Sequence, residues 1–160
     1  MSPAQKPLPA IIASEKPYWD YARRHELRVQ RCGHCAALRY PASPICPECG
    51  RGEHVWARMS GRGEVLSWVV FHRAYFDGFA GDIPYNVAMV ALDEGPVLIS
   101  AVEEIDNGDL RKGLPVEAVF EDRTPEISIL KFRPIRHENR AQAGSGEAAL
   151  VQEQRNGREA

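Results

Sequence analysis

The downstream half of the chain carries apolar and polar residues in the pattern of β-strands. From Gly63, the sequence GEVLSWVVFH is rich in β-branched and aromatic residues, and YNVAMVALD alternates two sets of side chains. Runs of this composition and period predict strands. Three further runs of the same kind follow: PVLISAVE, LPVEAVFED and ISILKFRPI. The pattern therefore predicts five strands between Gly63 and Ile135.

The connections between these strands predict a small barrel. The turn Asp93-Glu94-Gly95 separates the second and third strands by so few residues that a tight hairpin is expected. A similarly short connection separates the last two strands. Five strands without a long helix among them are typical of a closed or nearly closed barrel. The strand order and the short final turn indicate an OB-fold.

The upstream part of the chain predicts shorter elements. The segment EKPYWDYARRHEL places aromatic residues at helical spacing after Ser14, a residue type that caps helix N-termini. Short strands are expected before CGHC, in LRVQR, and after it, in LRY. The segment RGEHVWARMSGRG is predicted to be a linker that leads into the barrel.

All four cysteines lie in this upstream part, in two CxxC pairs. Cys32 and Cys35 form the first pair, and Cys46 and Cys49 form the second after ten intervening residues. The spacing lets two thiolates face one ion while the intervening backbone amides turn toward the sulfurs, and two such knuckles complete a tetrahedral shell. A closed shell leaves no coordination position for substrate. The metal is therefore expected to stabilise the fold rather than to take part in catalysis.

Zinc is the predicted metal, and two alternatives stay open. An iron centre for electron transfer has the same ligands and is recognised by its visible absorption. A pair of disulfides requires an oxidising compartment, whereas the start MSPAQKPLPA lacks the apolar core of a secretory signal. His34 and His54 lie near the cysteines but are not needed as ligands.

Charge divides the chain into a basic upstream part and an acidic barrel. Through Arg58, nine Lys and Arg stand against five acids, and from Met59 to Thr124 five stand against twelve. An acidic barrel repels a phosphate backbone, whose attraction supplies most non-specific affinity for nucleic acid. Ribbons and OB barrels are both used to bind nucleic acid, so a nucleic-acid-binding ribbon and OB module is the alternative function, and the charge of the barrel counts against it. No apolar run reaches the ~18 residues of a membrane span, so no membrane contact and a cytoplasmic location are expected.

Two groups of aromatic residues are candidates for binding. A thirteen-residue loop joins the first two barrel strands, and loops of this length at this place in an OB-fold border the ligand face. Its predicted substrate-binding residues are Arg73, Tyr75, Phe76, Phe79 and Tyr85. The predicted helix offers a partner interface formed by Tyr18, Trp19 and Tyr21. The alternatives are that the loop aromatics plug the mouth of the barrel and that the helix aromatics pack on the ribbon.

No catalytic constellation is visible in the sequence. The cysteines are committed to the metal, and neither a Ser-His-Asp set nor a pair of acids stands out. His72, beside the long loop, is the one candidate for acid–base chemistry. A lone histidine at a strand end is more often structural, so no catalytic residue is assigned.

The order of these segments resembles a known family. An aromatic helix, then QRCGHCAALRYPASPICPECG, GRGEVLSWVVFHR, PYNVAMVALDEG, GLPVEAVFED and LKFRP, is similar to the zinc-ribbon (rubredoxin-like) plus OB-fold proteins associated with acyl-CoA metabolism. The likeness runs from about Ser14 to Ile135. The resulting prediction is a mainly β protein with a flexible lead at 1–13, a helix and zinc ribbon at 14–58, an OB-fold barrel at 59–137 and a disordered tail at 138–160.

The resemblance implies a non-catalytic accessory subunit. Members are small subunits of thiolase-like enzymes, of aldolases built on a thiolase fold and of related acyl-transfer complexes, and they have been proposed to bind acyl-CoA. The implied partner is a thiolase-like or lipid-transfer-type thiolase-fold protein that holds the catalytic cysteine and histidines. The implied cofactor is structural zinc.

Overall fold

A computed structural model of the chain describes residues 6–135, which form one short helix and two antiparallel sheets. The elements in chain order are α1 Lys16–Ala22, β1 Arg28–Cys32, β2 Leu38–Arg39, β3 His54–Arg58, β4 Arg62–Phe71, β5 Tyr85–Leu92, β6 Val97–Ser100, β7 Pro115–Thr124 and β8 Ile127–Pro134. The tail predicted to be disordered at 138–160, and the first five residues of the predicted lead, lie outside the described residues.

Helix α1 begins one residue later than predicted. The N-cap is Glu15 rather than Ser14, and its side chain makes no capping hydrogen bond. The chain already turns at Ile12, whose carbonyl accepts the amides of residues 15 and 16, so Ser14 lies inside that turn. The helix buries Tyr18 and Ala22, which are four residues apart and therefore lie on one face.

The ribbon sheet has the order β2-β1-β3. Strands β1 and β2 were predicted, but the linker prediction is wrong for His54–Arg58, which forms β3 and pairs with all of β1. Sequence periodicity did not reveal this strand because only Ala57 in it is buried. β3 is held in place by its pairing with β1 and not by an apolar face of its own.

The five predicted downstream strands form one sheet with the order β6-β5-β4-β7-β8. The segment after β6 then meets β8 in a parallel bridge between Val102 and Phe132. At this bridge Phe132 donates its amide to Ala101, and its carbonyl accepts the amide of Glu103 at 2.7 Å. The first three strands form a meander, the fourth pairs with the first, and the third meets the fifth in parallel. This is the nearly closed barrel of an OB-fold, as predicted.

The apolar core is continuous from the ribbon into the barrel. Val65 and Phe132 are fully buried within the barrel. The same cluster contains Tyr18, Leu27 and Val29 from the upstream part of the chain. Residues on both sides of the predicted division at 58/59 therefore stabilise each other by burying apolar surface together.

Candidate metal centre and barrel groove

The four cysteine sulfurs converge on one point of the ribbon. All four lie within 4.8 Å of one another, with Cys32 Sγ 3.5 Å from Cys49 Sγ and Cys35 Sγ 3.6 Å from Cys46 Sγ. Tetrahedral zinc with Zn–S bonds of ~2.3 Å sets sulfurs about 3.8 Å apart. Disulfide sulfurs are only about 2.05 Å apart, so the four groups are free thiols with the spacing of a metal site.

The two knuckles have matching backbones. The residue after each CxxC pair adopts a left-handed conformation, with φ of +62° at Ala36 and +71° at Gly50. Their amides donate to the carbonyls of Cys32 and Cys46, at 3.1 and 2.9 Å. These turns bring both pairs of side chains to the same side, which explains why small residues follow each pair.

The thiols need a cation to ionise together. The backbone amides of Cys35 and His34 lower the pKa of Cys32 to about 6. The amide of Arg51 also donates to Cys49, yet burial and the neighbouring thiols together raise the pKa of Cys49 to about 12. A divalent metal removes the repulsion between neighbouring thiolates, so the donor set fits zinc.

The two nearby histidines are not ligands of this site. His54 Nδ1 lies 3.0 Å from the carbonyl oxygen of Gly52, and its Nε2 accepts from the side-chain amide of Gln30 at 3.1 Å. Gln30 is buried and also accepts from Arg39 Nε at 2.6 Å. His54 thus orders the strands behind the cysteines, while the His34 side chain is exposed.

The second candidate site is a groove of about 1030 Å³ on the outside of the barrel. It follows the seam where the end of β6 meets β8, and the long β4–β5 loop forms one wall. Apolar lining comes from Phe79, Tyr85, Val87, Ile105 and Ile129. The lead residues 6–9 lie along its edge. A groove of this size and lining is able to hold a flexible apolar chain.

The predicted loop residues divide between this groove and open solvent. Phe79 and Tyr85 line the groove, with their ring centroids 5.5 Å apart. Arg73, Tyr75 and Phe76 are not among its lining residues, and Tyr75 is 67% exposed. Tyr75 and Phe76 therefore do not plug the barrel.

The lead is tied to this loop by charge. Lys6 forms an ion pair with Asp82, and its ammonium lies 5.3 Å from the centroid of the Phe79 ring. A cation over an aromatic ring is attracted by the negative face of the ring. Lys6 therefore holds residues 6–9 against the groove.

Lys131 is a groove residue outside the predicted substrate-binding set, and the sequence favours a solvated surface charge at this position. Its side chain is mostly buried and pairs with Glu103 and, at 2.5 Å, with Glu121. Burial alone would lower the pKa of Lys131, but the two carboxylates raise it above its ordinary value. The ammonium therefore stays charged and is not available as a nucleophile. The sequence signal for this ion pair is the opposite charge of Lys131 and Glu121, which lie on two strands predicted to be consecutive.

The helix aromatics differ in what they present to solvent. Tyr18 is buried, with its ring edge-on to Trp19 at 5.2 Å and near Tyr40 at 5.7 Å. Trp19 and Tyr21 are half-buried. The Tyr21 ring is covered by the guanidinium of Arg28 at 4.4 Å. A partner thus reaches only parts of Trp19 and Tyr21.

The structure brings a serine, an acid and a histidine together, but not in a catalytic order. Ser128 Oγ donates to Asp122 Oδ1 at 2.5 Å, and His25 Nε2 lies 3.0 Å from the same oxygen. A catalytic serine gives its proton to the histidine, whereas in this group the carboxylate lies between the two, and Ser128 is fully buried.

His72, the one histidine considered for acid–base chemistry, is exposed just beyond β4. Within residues 6–135, no helix has the length and apolarity to cross a bilayer.

Family comparisons match both parts of the chain. The family described as the rubredoxin-like zinc ribbon domain of ChsH2 matches residues 19–55, and the C-terminal OB-fold domain of ChsH2 matches residues 56–121. A DUF35 domain-containing scaffold protein of Pyrococcus furiosus is 32% identical over 127 residues, which cover 74% of this chain and 90% of that protein. Because the matching ribbon is a zinc ribbon, the metal of the four-cysteine site is zinc.

Two longer proteins share the same region. The probable enoyl-CoA hydratase alpha subunit of Thermomonospora curvata is 34% identical over 82% of this chain. The 3-oxo-4,17-pregnadiene-20-carboxyl-CoA hydratase alpha subunit of Mycobacterium tuberculosis is 32% identical over 73% of it. The chain spans only 40% and 36% of their lengths, respectively.

Two solved structures share the fold. A chain of the Ltp2-ChsH2(DUF35) aldolase matches with a TM-score of 0.72 and 33% identity, covering 79% of this chain and 98% of that one. A DUF35 protein of Sulfolobus solfataricus matches with a TM-score of 0.55 at 14% identity, over 77% of this chain and 86% of that one. The second match shows the fold alone.

Proposed function

This chain belongs to the ChsH2 (DUF35) family of zinc-ribbon plus OB-fold proteins, and from that premise we propose that it is a non-catalytic accessory subunit of a thiolase-fold acyl-CoA enzyme. The observation that carries the proposal is the likeness to the ChsH2 chain of an aldolase that also contains Ltp2. The enzyme is a thiolase, an aldolase or an acyl transferase, and its larger subunit supplies the reacting groups.

The chemistry of the described residues supports a non-catalytic role. The four thiols are arranged for a metal, and Lys131 is held as a cation between two carboxylates. Ser128 is buried and donates to the Asp122 carboxylate, whose pKa is lowered by the hydrogen bonds with Ser128 and His25, so that this carboxylate is a weak base. Acyl transfer needs an accessible nucleophile beside an effective general base. In the side-chain hydrogen bonds of residues 6–135, no hydroxyl or thiol meets a histidine ring.

Contact with acyl-CoA is the second part of the proposal. The groove along the barrel seam has apolar walls that suit an acyl chain or a pantetheine arm, and Phe79 and Tyr85 are the predicted residues that line it. Arg73, Tyr75 and Phe76 lie outside the groove, so they are not needed for this contact. The part of α1 that remains for a partner is Trp19 and Tyr21.

The experiment is to purify the tagged chain from its own cell, identify the proteins that accompany it by mass spectrometry, and assay the chain alone and in complex. A thiolase-fold subunit should be recovered, and acyl-CoA should be cleaved or condensed only by the complex. Turnover by the isolated chain after removal of every thiolase would contradict the proposal. His72→Ala would then be the first variant to assay.

A further inference from the structure

The outer surface of β4, β5 and β6 carries exposed apolar side chains that are neighbours across the strands. Val69 lies opposite Val87, and Met89 lies opposite Ile99. Val69 is 55% exposed, Met89 41% and Ile99 65%, although each sits within a regular strand of the barrel. Their sequence neighbours point into the core, so this is the outward face of the sheet.

Aromatic residues extend this surface toward the long loop. Phe71 ends β4 and stacks on Tyr85 with ring centroids 5.1 Å apart. Tyr75 lies edge-on to Phe71 at 6.0 Å. The outer apolar face is therefore defined by Val69, Phe71, Tyr75, Met89, Val97 and Ile99, and it meets the groove at Tyr85 and Val87. Contiguous apolar surface of this kind on a folded chain marks a site of interaction.

The border of the outer apolar face is acidic. Between Gly63 and Leu110 the chain has nine acids and one basic residue, Arg73, although Arg62 lies two residues before Glu64 and the ion pairs with Lys6 and Lys131 neutralise Asp82 and Glu103. Glu64 lies opposite Ala91, next to Val97, and Asp93 lies in the adjoining turn. Asp77 follows the loop aromatics at the other end. Neither Glu64, Asp77 nor Asp93 forms an ion pair with another described residue.

This distribution of charge favours one kind of occupant. A second copy of the chain docked through the same face would bring its acidic border against the acidic border of the first copy, and like charges at an interface oppose association. An anionic lipid surface is repelled for the same reason. A protein surface that is apolar at its centre and basic at its border matches both the apolar area and the charge.

We propose that the outer apolar face is the surface through which this chain docks on the large thiolase-fold subunit. The complementary surface on that subunit is apolar at its centre and carries Lys or Arg at its border. The docking rests on the proposed function, which supplies the partner. In this arrangement the barrel makes the main contact with the large subunit, and Trp19 and Tyr21 offer a smaller surface on α1.

The test compares substitutions at two well-exposed apolar residues, one on the barrel and one on the ribbon. Ile99→Lys, Ile99→Glu and the control Val55→Lys are purified, and the affinity of each for the large subunit identified by mass spectrometry is measured. Val55 is 56% exposed on β3, away from the outer apolar face. Ile99→Lys should weaken binding by about thirtyfold or more, as expected for a central interface residue. Ile99→Glu should weaken binding less than Ile99→Lys, because the Lys or Arg at the partner's border attracts a negative charge. Val55→Lys should weaken binding by less than about threefold.

A second measurement uses the unmodified chain and so does not depend on a variant that folds. Dilute peroxide oxidises exposed methionine, and Met89 is exposed while Met59 is buried. Docking of the large subunit should slow the oxidation of Met89 by about tenfold or more and leave Met59 slow in both states.

Each outcome decides the proposal. An Ile99→Lys chain with full zinc content and an unchanged melt that binds normally, together with an unprotected Met89, would overturn the docking surface and leave the accessory-subunit role standing. Equal weakening by Val55→Lys and Ile99→Lys would also overturn it. If the unmodified chain binds no thiolase-fold subunit, the proposed function itself fails, and the docking fails with it.

Discussion

At the scale of single residues, the side chain of Asn86 replaces a pair of backbone hydrogen bonds. The ladder between β5 and β6 ends at Ala88 and Ser100, two residues short of this position. Asn86 donates from Nδ2 to the carbonyl of Val102 at 2.9 Å and accepts the Val102 amide on Oδ1 at 2.8 Å. It thereby holds residue 102 where the parallel bridge to β8 closes the barrel.

Asn86→Ala should lower the free energy of unfolding by about 2–4 kcal/mol, because the buried amide and carbonyl of Val102 lose their partner. Urea denaturation measures the change. The control is Asn107→Ala, which removes one bond to Asn86 and an exposed bond to the Pro84 carbonyl. Asn107→Ala should cost about 1 kcal/mol. Equal losses in the two variants would show that the contact with Val102 is not important for closure.

Gly63 is the second residue that the barrel requires. A Cβ at this position would lie 2.2 Å from the carbonyl oxygen of Ala91 and 3.0 Å from the Cα of Leu92, both of which are backbone atoms. Gly63→Ala therefore forces β4 and β5 apart, and overpacking of this kind costs about 1–3 kcal/mol. Gly81→Ala is the matched control, since nothing lies within 4 Å of its Cβ. A thermal melt of Gly63→Ala as high as that of Gly81→Ala would contradict this account.

The residues that sequence reasoning found and missed differ in how local their signal is. Cys32 and its three partners stand out because the spacing of a metal ligand set is written within one short segment. Asn86 contacts Val102, which is 16 positions away, and Lys131 pairs with Glu103, which is 28 positions away. Nothing in their own neighbourhood announces those contacts. Tyr18 is a similar case, because its place in the core depends on distant residues such as Tyr40, whereas its own segment shows only an aromatic helix.

At the scale of elements, the strands that were predicted are those with an apolar face of their own. β5 alternates buried and exposed residues along its whole length, so its period is visible in the sequence. β3 has one buried residue and is held by its pairing with β1. The period of a strand reports burial, and a strand that is held mainly by hydrogen bonds to a neighbour leaves no such trace.

The zinc site predicts how the ribbon responds to the loss of one ligand. Cys46→Ser should reduce zinc below one ion per chain, because the buried sulfur of residue 46 completes the shell. Structural zinc in small modules contributes on the order of 10 kcal/mol of apparent folding free energy. The amides of β1 and β3 should therefore lose protection from hydrogen exchange, while those of β5 keep theirs.

The control for this variant is His34→Ala, which changes an exposed side chain that belongs to no ligand set. Its zinc content, measured by elemental analysis, should equal that of the unmodified chain. Full zinc in Cys46→Ser would contradict the four-cysteine assignment, and iron as the main metal in native material would contradict the zinc ribbon. The barrel should also melt somewhat earlier in Cys46→Ser, because Leu27 and Val29 share its core.

At the scale of the whole molecule, the fold and the charge act together. A ribbon and an OB barrel are each used for nucleic-acid binding in other proteins, so the fold alone does not separate an accessory subunit from a nucleic-acid-binding module. The charge does separate them. Between Met59 and Ile135 the barrel carries thirteen acids against seven bases, and the acids Glu64, Asp77 and Asp93 lie at the border of its exposed apolar surface. The family membership supports the proposed accessory role, and the acidic charge is a separate argument against nucleic-acid binding.

The chain is therefore expected to bind single-stranded DNA and RNA more weakly than micromolar at ~150 mM salt, because counterion release from phosphates needs clustered cations that the barrel lacks. Fluorescence anisotropy with labelled oligonucleotides measures this. Residual binding at low salt would come from the basic ribbon, where Arg24 and Arg28 flank Tyr21, and it should disappear in Arg28→Glu. A micromolar or tighter complex at ~150 mM salt that survives this substitution would favour the nucleic-acid-binding alternative. An interaction that resists both salt and the loss of a ribbon cation would have to come from the barrel itself.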